Sequence, residues 1–337
     1  MKGRGDVKRA RRCKTVRTAL RRPALYAMMG PYKEVAQVKK TVLILLLAGL
    51  ILAAAAACAE SADGFDYTVN EADGTAAVTR WTGRETEVTV PAVLGGYPVT
   101  SIGSWAFEDR ADVTAVTVPE GVTSIGAYAF CRCTALKEVS LPQSLREIGS
   151  CCFILCTSLE RLEIPAACRD LGANPFVHCS ALRELVFADG SRFRAEDGLV
   201  TDTRSKKLVA LLQALAPAEL NLPEGTRAVG SYAIVACDGL KVLRFPAGLN
   251  TLQAYAVYAC PDLALLVTAP VPHIAADGVF TWCDALTVAA AEGTALDGSL
   301  LAAYCEEHGI PWVNELPAEG SEESGTESSA GSTAEAP

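Results

Sequence analysis

Histidine is scarce in this chain: the 337 residues hold three, His178, His273 and His308. Imidazole is the usual source of acid–base and metal chemistry near neutral pH, so few such sites are available. A Cys–His nucleophile needs its two groups within hydrogen-bond reach. His178 adjoins Cys179, but at a variable surface position of the pattern described below. The sequence also lacks a G-x-S-x-G elbow, a phosphate-cradling P-loop and a G-x-G-x-x-G dinucleotide fingerprint. Zinc would require a close Cys pair and a second pair to match it. Cys131-x-Cys133 and His178-Cys179 are the nearest candidates, and neither has a complement. Basic charge is short as well: beyond residue 57 there are 17 Lys/Arg against 37 Asp/Glu, a net of about −20 that repels phosphate. We therefore expect no catalytic, cofactor or metal residues, no cofactor and no nucleic-acid partner.

Repetition is abundant. Cysteine recurs every 23 residues at Cys133, Cys156 and Cys179, then at Cys237, Cys260 and Cys283; the 58-residue step between the two runs is one period plus 35 residues. Other columns keep the same register. Val118, Leu141, Ile164, Leu222 and Phe245 each precede a proline, which reads as a short strand closed by a residue that cannot extend a ladder. Ile125, Ile148, Leu171, Val229 and Leu252 form a second apolar column. Gly follows the first four, at a turn needing either positive φ or close backbone approach. Phe130, Phe153, Phe176, Ile234, Val257 and Phe280 stand three residues before the Cys column, and Leu136, Leu159, Leu182, Leu240, Leu263 and Leu286 three after it. The i, i+3, i+6 spacing predicts a short helical or 3₁₀ turn. No unit buries its apolar side chains alone, so stacking must supply one continuous core.

The predicted fold class is an α/β solenoid, a leucine-rich-repeat-like stack of about seven 23-residue units, each a short strand, a turn and a short helical segment. At one strand spacing per rung such a stack is roughly 35–40 Å long. The six cysteines of the column read as small buried free thiols, although rungs this close also lie within disulfide range. Cys151-Cys152 reads as drift of a repeat position.

The segment Leu136-Lys-Glu-Val139-Ser-Leu141-Pro142 is similar to a leucine-rich repeat. The fuller unit, from Val118-Pro119 through Ile125-Gly126, Ala129-Phe130 and Cys133 to Leu136, resembles the BspA-like subfamily of bacterial surface proteins. The resemblance covers about residues 65–314. Phe65-Asp-Tyr67-Thr-Val69 resembles the family's opening strand, and Asp197-Gly198-Leu199-Val200 with Lys207–Leu211 its hairpin-bearing long repeat. Tyr304-Cys-Glu-Glu-His-Gly309-Ile310-Pro311-Trp312 is similar to its closing helix and strand. Departures from the pattern are Gln253 and Ala276 at the turn Gly and Arg110 in place of the first Cys.

The expected organisation is a basic N-terminus with a signal or anchor segment at 1–57, and a linker with the opening strand at 58–87. The solenoid follows at 88–287, with a long repeat at 185–219. A cap at 288–314 and a disordered tail at 315–337 complete it. Residues 1–57 carry 13 Lys/Arg and two acids ahead of the apolar run Thr41–Ala57. This pattern is that of an export signal or a short N-terminal anchoring helix, with Lys39 and Lys40 on the cytoplasmic side. Translation starting at Met28 or Met29 would omit residues 1–27. Ala55-Ala56-Ala57-Cys58 resembles a lipobox, which implies lipidation of Cys58 and attachment to the outer face of the membrane; simple cleavage after Ala-x-Ala is the alternative. The tail has no aromatic residue and cannot bury enough apolar area to order itself.

Outward strand positions, namely Thr89, Thr117, Ser140, Glu163, Asn221 and Arg244, form the candidate binding face. Tyr128, Tyr232 and Tyr255 share a turn-proximal column. The family resemblance implies a surface-displayed, non-enzymatic interaction protein whose partner is an extracellular protein or glycan. An envelope scaffold lipoprotein and a polysaccharide-binding accessory protein remain as alternatives.

Overall fold

Each copy of the motif contributes one short strand whose central apolar residue is buried between more exposed neighbours, as at Val116, Val139 and Leu162. The computed structural model describes residues 60–315, apart from Pro272, Ala276 and Asp277. The signal or anchor segment, Cys58, Ala276 and the tail beyond Glu315 lie outside the described residues.

The strands stack in parallel, offset by one repeat, along the first of three sides. Glu87–Thr89, Ala115–Thr117 and Glu138–Ser140 form one ladder there; Arg161–Ile164 and Glu184–Phe187 form a second. Glu219–Asn221, Val242–Arg244, Leu265–Thr268, Thr287–Ala290 and Trp312–Val313 form a third. The proline after each strand starts a tight turn, in which the Leu145 amide donates to the Pro142 carbonyl at 3.1 Å. The chain then enters the second side, where Tyr97–Ile102, Ser124–Ile125, Glu147–Ile148 and Asp170–Leu171 pair in parallel.

The turn glycines are there for close approach. A Cβ on Gly126, Gly149 or Gly172 would lie 2.5, 2.4 or 2.3 Å from the amide nitrogen of Ser104, Ala127 or Ser150 in the preceding rung. None of the three has a positive φ.

The third side departs from expectation. Its apolar residues are indeed three apart, and the Cys133 and Leu136 amides donate to the Phe130 and Cys133 carbonyls at 3.2 and 3.1 Å. No helix grows from these turns, because left-handed residues interrupt them: Tyr128 (φ 59°), Arg132 (63°), Cys151 (52°) and Leu155 (64°). The intervening amides turn outward to the next rung, with Tyr128, Phe130 and Arg132 donating to Ser150, Cys152 and Ile154 at 3.1, 2.9 and 2.9 Å. The molecule is therefore a β-solenoid of about ten turns, not an α/β stack of seven. Among the described residues the helical elements are the 3₁₀ turn Gln213–Leu215 and the α-helix Leu300–His308.

The phenylalanine column lies inside as one pile. Phe107 stacks on Phe130 at 5.0 Å, Phe130 on Phe153 at 5.2 Å and Phe153 on Phe176 at 6.3 Å. Phe65 and Trp81, from the antiparallel hairpin of Phe65–Asn70 and Thr75–Trp81, pack at the N-terminal end of the pile. At the other end Ser299 caps the helix Leu300–His308, Gly309 (φ 67°) ends it, and Tyr304 packs on Phe280 at 6.0 Å.

The long repeat divides this stack. Phe193–Glu196, Leu199–Asp202 and Lys207–Leu211 run antiparallel, and Lys207–Leu208 rejoins the parallel ladder beside Ala228–Val229. Asp202, 2 % exposed, latches the segment. Arg192 donates to both of its carboxylate oxygens at 2.9 and 2.5 Å, and Ser205 adds its hydroxyl at 2.6 Å. Burial alone would raise the Asp202 carboxyl. Hydrogen bonds from Arg192, from Ser205 and from the Arg204 amide outweigh it and hold the group well below the usual range. The apolar interior accordingly falls into two clusters rather than the single one expected from stacking alone. Val200, Val209, Ala210 and Leu212 belong to the first, and Leu199, Leu208 and Leu211 to the second.

Candidate functional site

Alternation along each strand leaves every second side chain of the first side in solvent. Thr89, Thr117 and Ser140 are exposed and stand in direct register. Glu163 is exposed on the next ladder, opposite Val186. Asn221 and Arg244 are register partners on the third ladder, Asn221 exposed and Arg244 half-buried. The six residues thus occupy one side but fall into three groups. Glu163 lies 3.5 Å from Arg161, which also binds Glu184 at 2.8 Å, and Arg244 binds Glu219 at 3.0 Å. These pairs are solvent-exposed and contribute at most about 1 kcal/mol each.

Between the second and third ladders the first side opens into a cleft of about 730 Å³. Leu185, Leu199, Leu212, Leu215, Leu220 and Asn221 are among its walls. Sequence reasoning located the 35-residue insertion but missed the cleft. The signal lay in the strand count: the insertion adds two strands, Phe193–Glu196 and Leu199–Asp202, to the second side and none to the first. On the third side the two halves stay fastened. Asn174 is 2 % exposed; its Nδ2 donates to the Tyr232 carbonyl at 2.7 Å and its Oδ1 accepts from the Phe176 amide at 3.0 Å. Asn174 occupies the column of Tyr128 and Cys151, and that break in the column was its only sequence signal.

The cysteines are held inside, whereas His273 and His308 are exposed. All eleven described cysteines are buried and free. Cys133, Cys156 and Cys179 donate through Sγ to the Phe107, Phe130 and Phe153 carbonyls at 3.1, 3.2 and 3.0 Å. Burial pushes the Cys131 and Cys133 thiols up to about 12, which suppresses the nucleophilic thiolate. His308 stacks on Tyr304 at 4.0 Å, and its Nδ1 lies 2.9 Å from the Tyr304 carbonyl. His273 is exposed on the strand His273–Ile274. Among the described residues no three His, Cys, Asp or Glu side chains gather as metal ligands, and no helix is long and apolar enough to cross a membrane.

Aromatic residues crowd the third side. Tyr128 and Tyr232 are buried, and Tyr255 is half-buried. Tyr128 stacks on Trp105 at 4.1 Å and Tyr232 on Tyr255 at 5.2 Å. Trp282, 36 % exposed, packs on Tyr258 at 5.0 Å.

Comparison with known proteins agrees with this architecture. Six copies of the BspA type leucine rich repeat region match at residues 99–195 and 214–292, just over half of the chain. A leucine-rich repeat protein from Bacteroides capillosus is 34% identical over 38% of this chain and 97% of its own, with a TM-score of 0.36. One from Eubacterium ventriosum is 21% identical over 69% of this chain and 72% of its own, with a TM-score of 0.51. A leucine rich cell surface protein from Faecalibacterium prausnitzii is 22% identical over 72% and 85%, with a TM-score of 0.33. No curated protein matches. With its repeating columns stacked as a solenoid and matched over most of their length, the chain belongs to the BspA-type leucine-rich repeat family.

Proposed function

We propose that the protein is a non-catalytic, exported repeat protein that presents its first side to an extracellular protein or glycan. The contrast between inner and outer columns carries this reading. Inside, Phe107, Phe130, Phe153 and Phe176 repeat one side chain four times. Outside, at the same spacing on either side of the long repeat, stand Thr117, Ser140, Glu163, Asn221 and Arg244, which differ in size or charge. A rigid lattice with changeable side chains suits contact with one macromolecule over several rungs. The basic head, the apolar run 41–57 and Cys58 support export and a place on the outer face of the membrane, with the lipid anchor on Cys58. The test is capture of partners by the immobilised full chain from host matrix proteins and, separately, from the cell's own envelope extract. Saturable matrix binding that falls at least tenfold in the Glu163→Ala/Arg244→Ala variant supports adhesion. Envelope capture alone indicates a scaffold, and capture from neither removes the reading.

One observation favours a second reading, in which a glycan binds on the third side rather than the first. Trp282 is exposed on a base of Tyr258, itself 5.9 Å from Tyr255, so its ring is an immobilised platform on which a sugar face can stack. Trp282→Ala should then abolish retention on immobilised polysaccharide; unchanged retention rules this ligand out.

A further inference from the structure

We propose that the edge where the chain turns from its first side to its second is a docking ridge for a linear polyanionic glycan, one that carries sulfate or carboxylate groups at a regular interval. This surface is separate from the first-side face and from the Trp282 platform, so each can fail without the others.

The ridge is a product of the repeat. Arg146, Arg169 and Arg227 each stand just before a second-side strand, namely Glu147–Ile148, Asp170–Leu171 and Ala228–Val229. The Arg169 amide donates to the Arg146 carbonyl and the Arg227 amide to the Lys206 carbonyl, both at 2.8 Å, so these residues lie rung upon rung. The long repeat fills the interval between them. Arg192 precedes Phe193–Glu196, and its Nη1 donates to the Arg169 carbonyl at 3.0 Å. Leu199–Asp202 then runs back to the same edge, where the turn into Lys207–Leu211 sets Arg204 and Lys206. Six strands, from Glu147–Ile148 to Ala228–Val229, thus carry a file of cations about 24 Å long at the usual strand spacing.

Seven of the 17 Lys/Arg beyond residue 57 lie on this edge. Arg192 is neutralised by Asp202. The other six, Arg146, Arg169, Arg204, Lys206, Lys207 and Arg227, have no salt-bridge partner among the described residues. All but the half-buried Lys207 are exposed. The solenoid as a whole is acidic, but physiological salt confines each charge to roughly 8–10 Å, so the file keeps a local positive field. Glu147 and Asp170 stand in register on its second-side flank and hold an anion to the edge.

The form of the ridge selects its occupant. It is one residue wide, and four of its six free cations are arginines, whose planar fork grips sulfate or carboxylate by paired hydrogen bonds. A polysaccharide with an anionic group in every repeat unit meets such a file contact by contact. The chain's own residues 316–337 do not: Glu319, Glu322, Glu323, Glu327 and Glu335 keep no constant interval. Nor does a second copy, since among the described residues no register column holds acids on three successive rungs. The exposed large apolar side chains are Val93, Leu215, Trp282, Leu300 and Val313, and none joins the file. Nucleic-acid bases and a lipid surface therefore find nothing there to stack on or insert.

The test treats the full chain with phenylglyoxal, which blocks accessible arginines, with and without heparin, and reads each arginine by peptide mass spectrometry. Residue-by-residue reading separates the ridge from residues 1–57, whose own 13 Lys/Arg also attract polyanions. Heparin should slow modification of Arg146, Arg169, Arg204 and Arg227 by about fivefold or more, leave Arg161 and Arg244 within about twofold, and lose its effect in about 0.5 M salt. The exposed-site variant Arg146→Gln/Arg169→Gln should return Arg204 and Arg227 toward their free rates. Equal protection of ridge and first-side arginines, protection confined to residues 1–57, or none at all would overturn the proposal. So would equal protection by inorganic sulfate, which needs no file, or stronger protection by single-stranded DNA or by phosphatidylglycerol vesicles. Ridge arginines that are already slow without heparin would overturn it as well: release on dilution assigns the ridge to a second copy, and release on deleting residues 316–337 assigns it to the tail.

Discussion

On the N-terminal side of the long repeat, rungs are joined by stacked phenylalanines, by glycines set against the neighbouring backbone and by short thiol–carbonyl bonds. On the C-terminal side the period is the same and the fastening differs. Ile234 and Val257 replace the rings and sit on a regular parallel pair, Ile234–Val235 with Val257–Tyr258. Gln253 replaces the glycine, and its Oε1 accepts from the Ser231 amide at 3.1 Å. The Cys260 and Cys283 thiols lie 3.9 and 3.8 Å from the carbonyls that correspond to those met at 3.0–3.2 Å in the first half. A 23-residue period thus dictates rung spacing but not the side chains that hold rungs together. A flat ring fills the interior where the backbone turns irregularly, and a branched aliphatic fits where it straightens into a strand.

The largest expected effect separates the halves directly. Phe153→Ala should cost about 4 kcal/mol and Val257→Ala about 2 kcal/mol, read as shifts of the urea midpoint. Equal losses would erase the contrast. Next comes the joint between the halves. Asp202→Asn leaves the Arg192 charge without its buried partner and should cost about 3 kcal/mol. Because the folded carboxyl titrates below its unfolded value, its stabilisation is complete above pH about 4 and is lost as pH falls toward the depressed folded value. Protection of the Leu199–Asp202 amides, relative to their intrinsic exchange rates, should therefore fall in acid before that of the Phe130 rung does.

Gly149→Ala should destabilise by about 3 kcal/mol, because its Cβ meets the Ala127 backbone and the rung must shift. Gln253→Gly should cost less than about 1 kcal/mol. Asn174→Ala removes two hydrogen bonds across the joint and should cost about 2 kcal/mol. If the two halves are cooperative only through that contact, its calorimetric transition will split in two. The smallest effect is kinetic. Native thiols should resist alkylation at pH 8, with Cys283, 5 % exposed, reacting before the fully buried Cys156.

Much of this was readable from the chain. The proline-closed strand, the buried apolar columns and the cysteine positions follow from period-2 alternation and a fixed repeat. The third side was misread because three-residue spacing is common to a 3₁₀ helix and to a run of single turns. The distinction rests on φ at Tyr128 and Arg132, and neither residue advertises a left-handed backbone. The turn glycine left two explanations open, and only the distance to the next rung chose between them. Of the candidate surface, the outward positions were legible as alternation. Their division into three groups was not, because it depends on where pairing stops.

Sequence alone determined that 23-residue units must stack, since none can bury its apolar columns by itself, and it determined which side chains face inward. Tertiary structure decided that the third side is turn and strand rather than helix, that the interior divides in two and that the first side opens at one place. The physical reason is shared: hydrogen bonds between rungs, and two strands added to only one side, depend on neighbours far away in the chain, which no local pattern can encode.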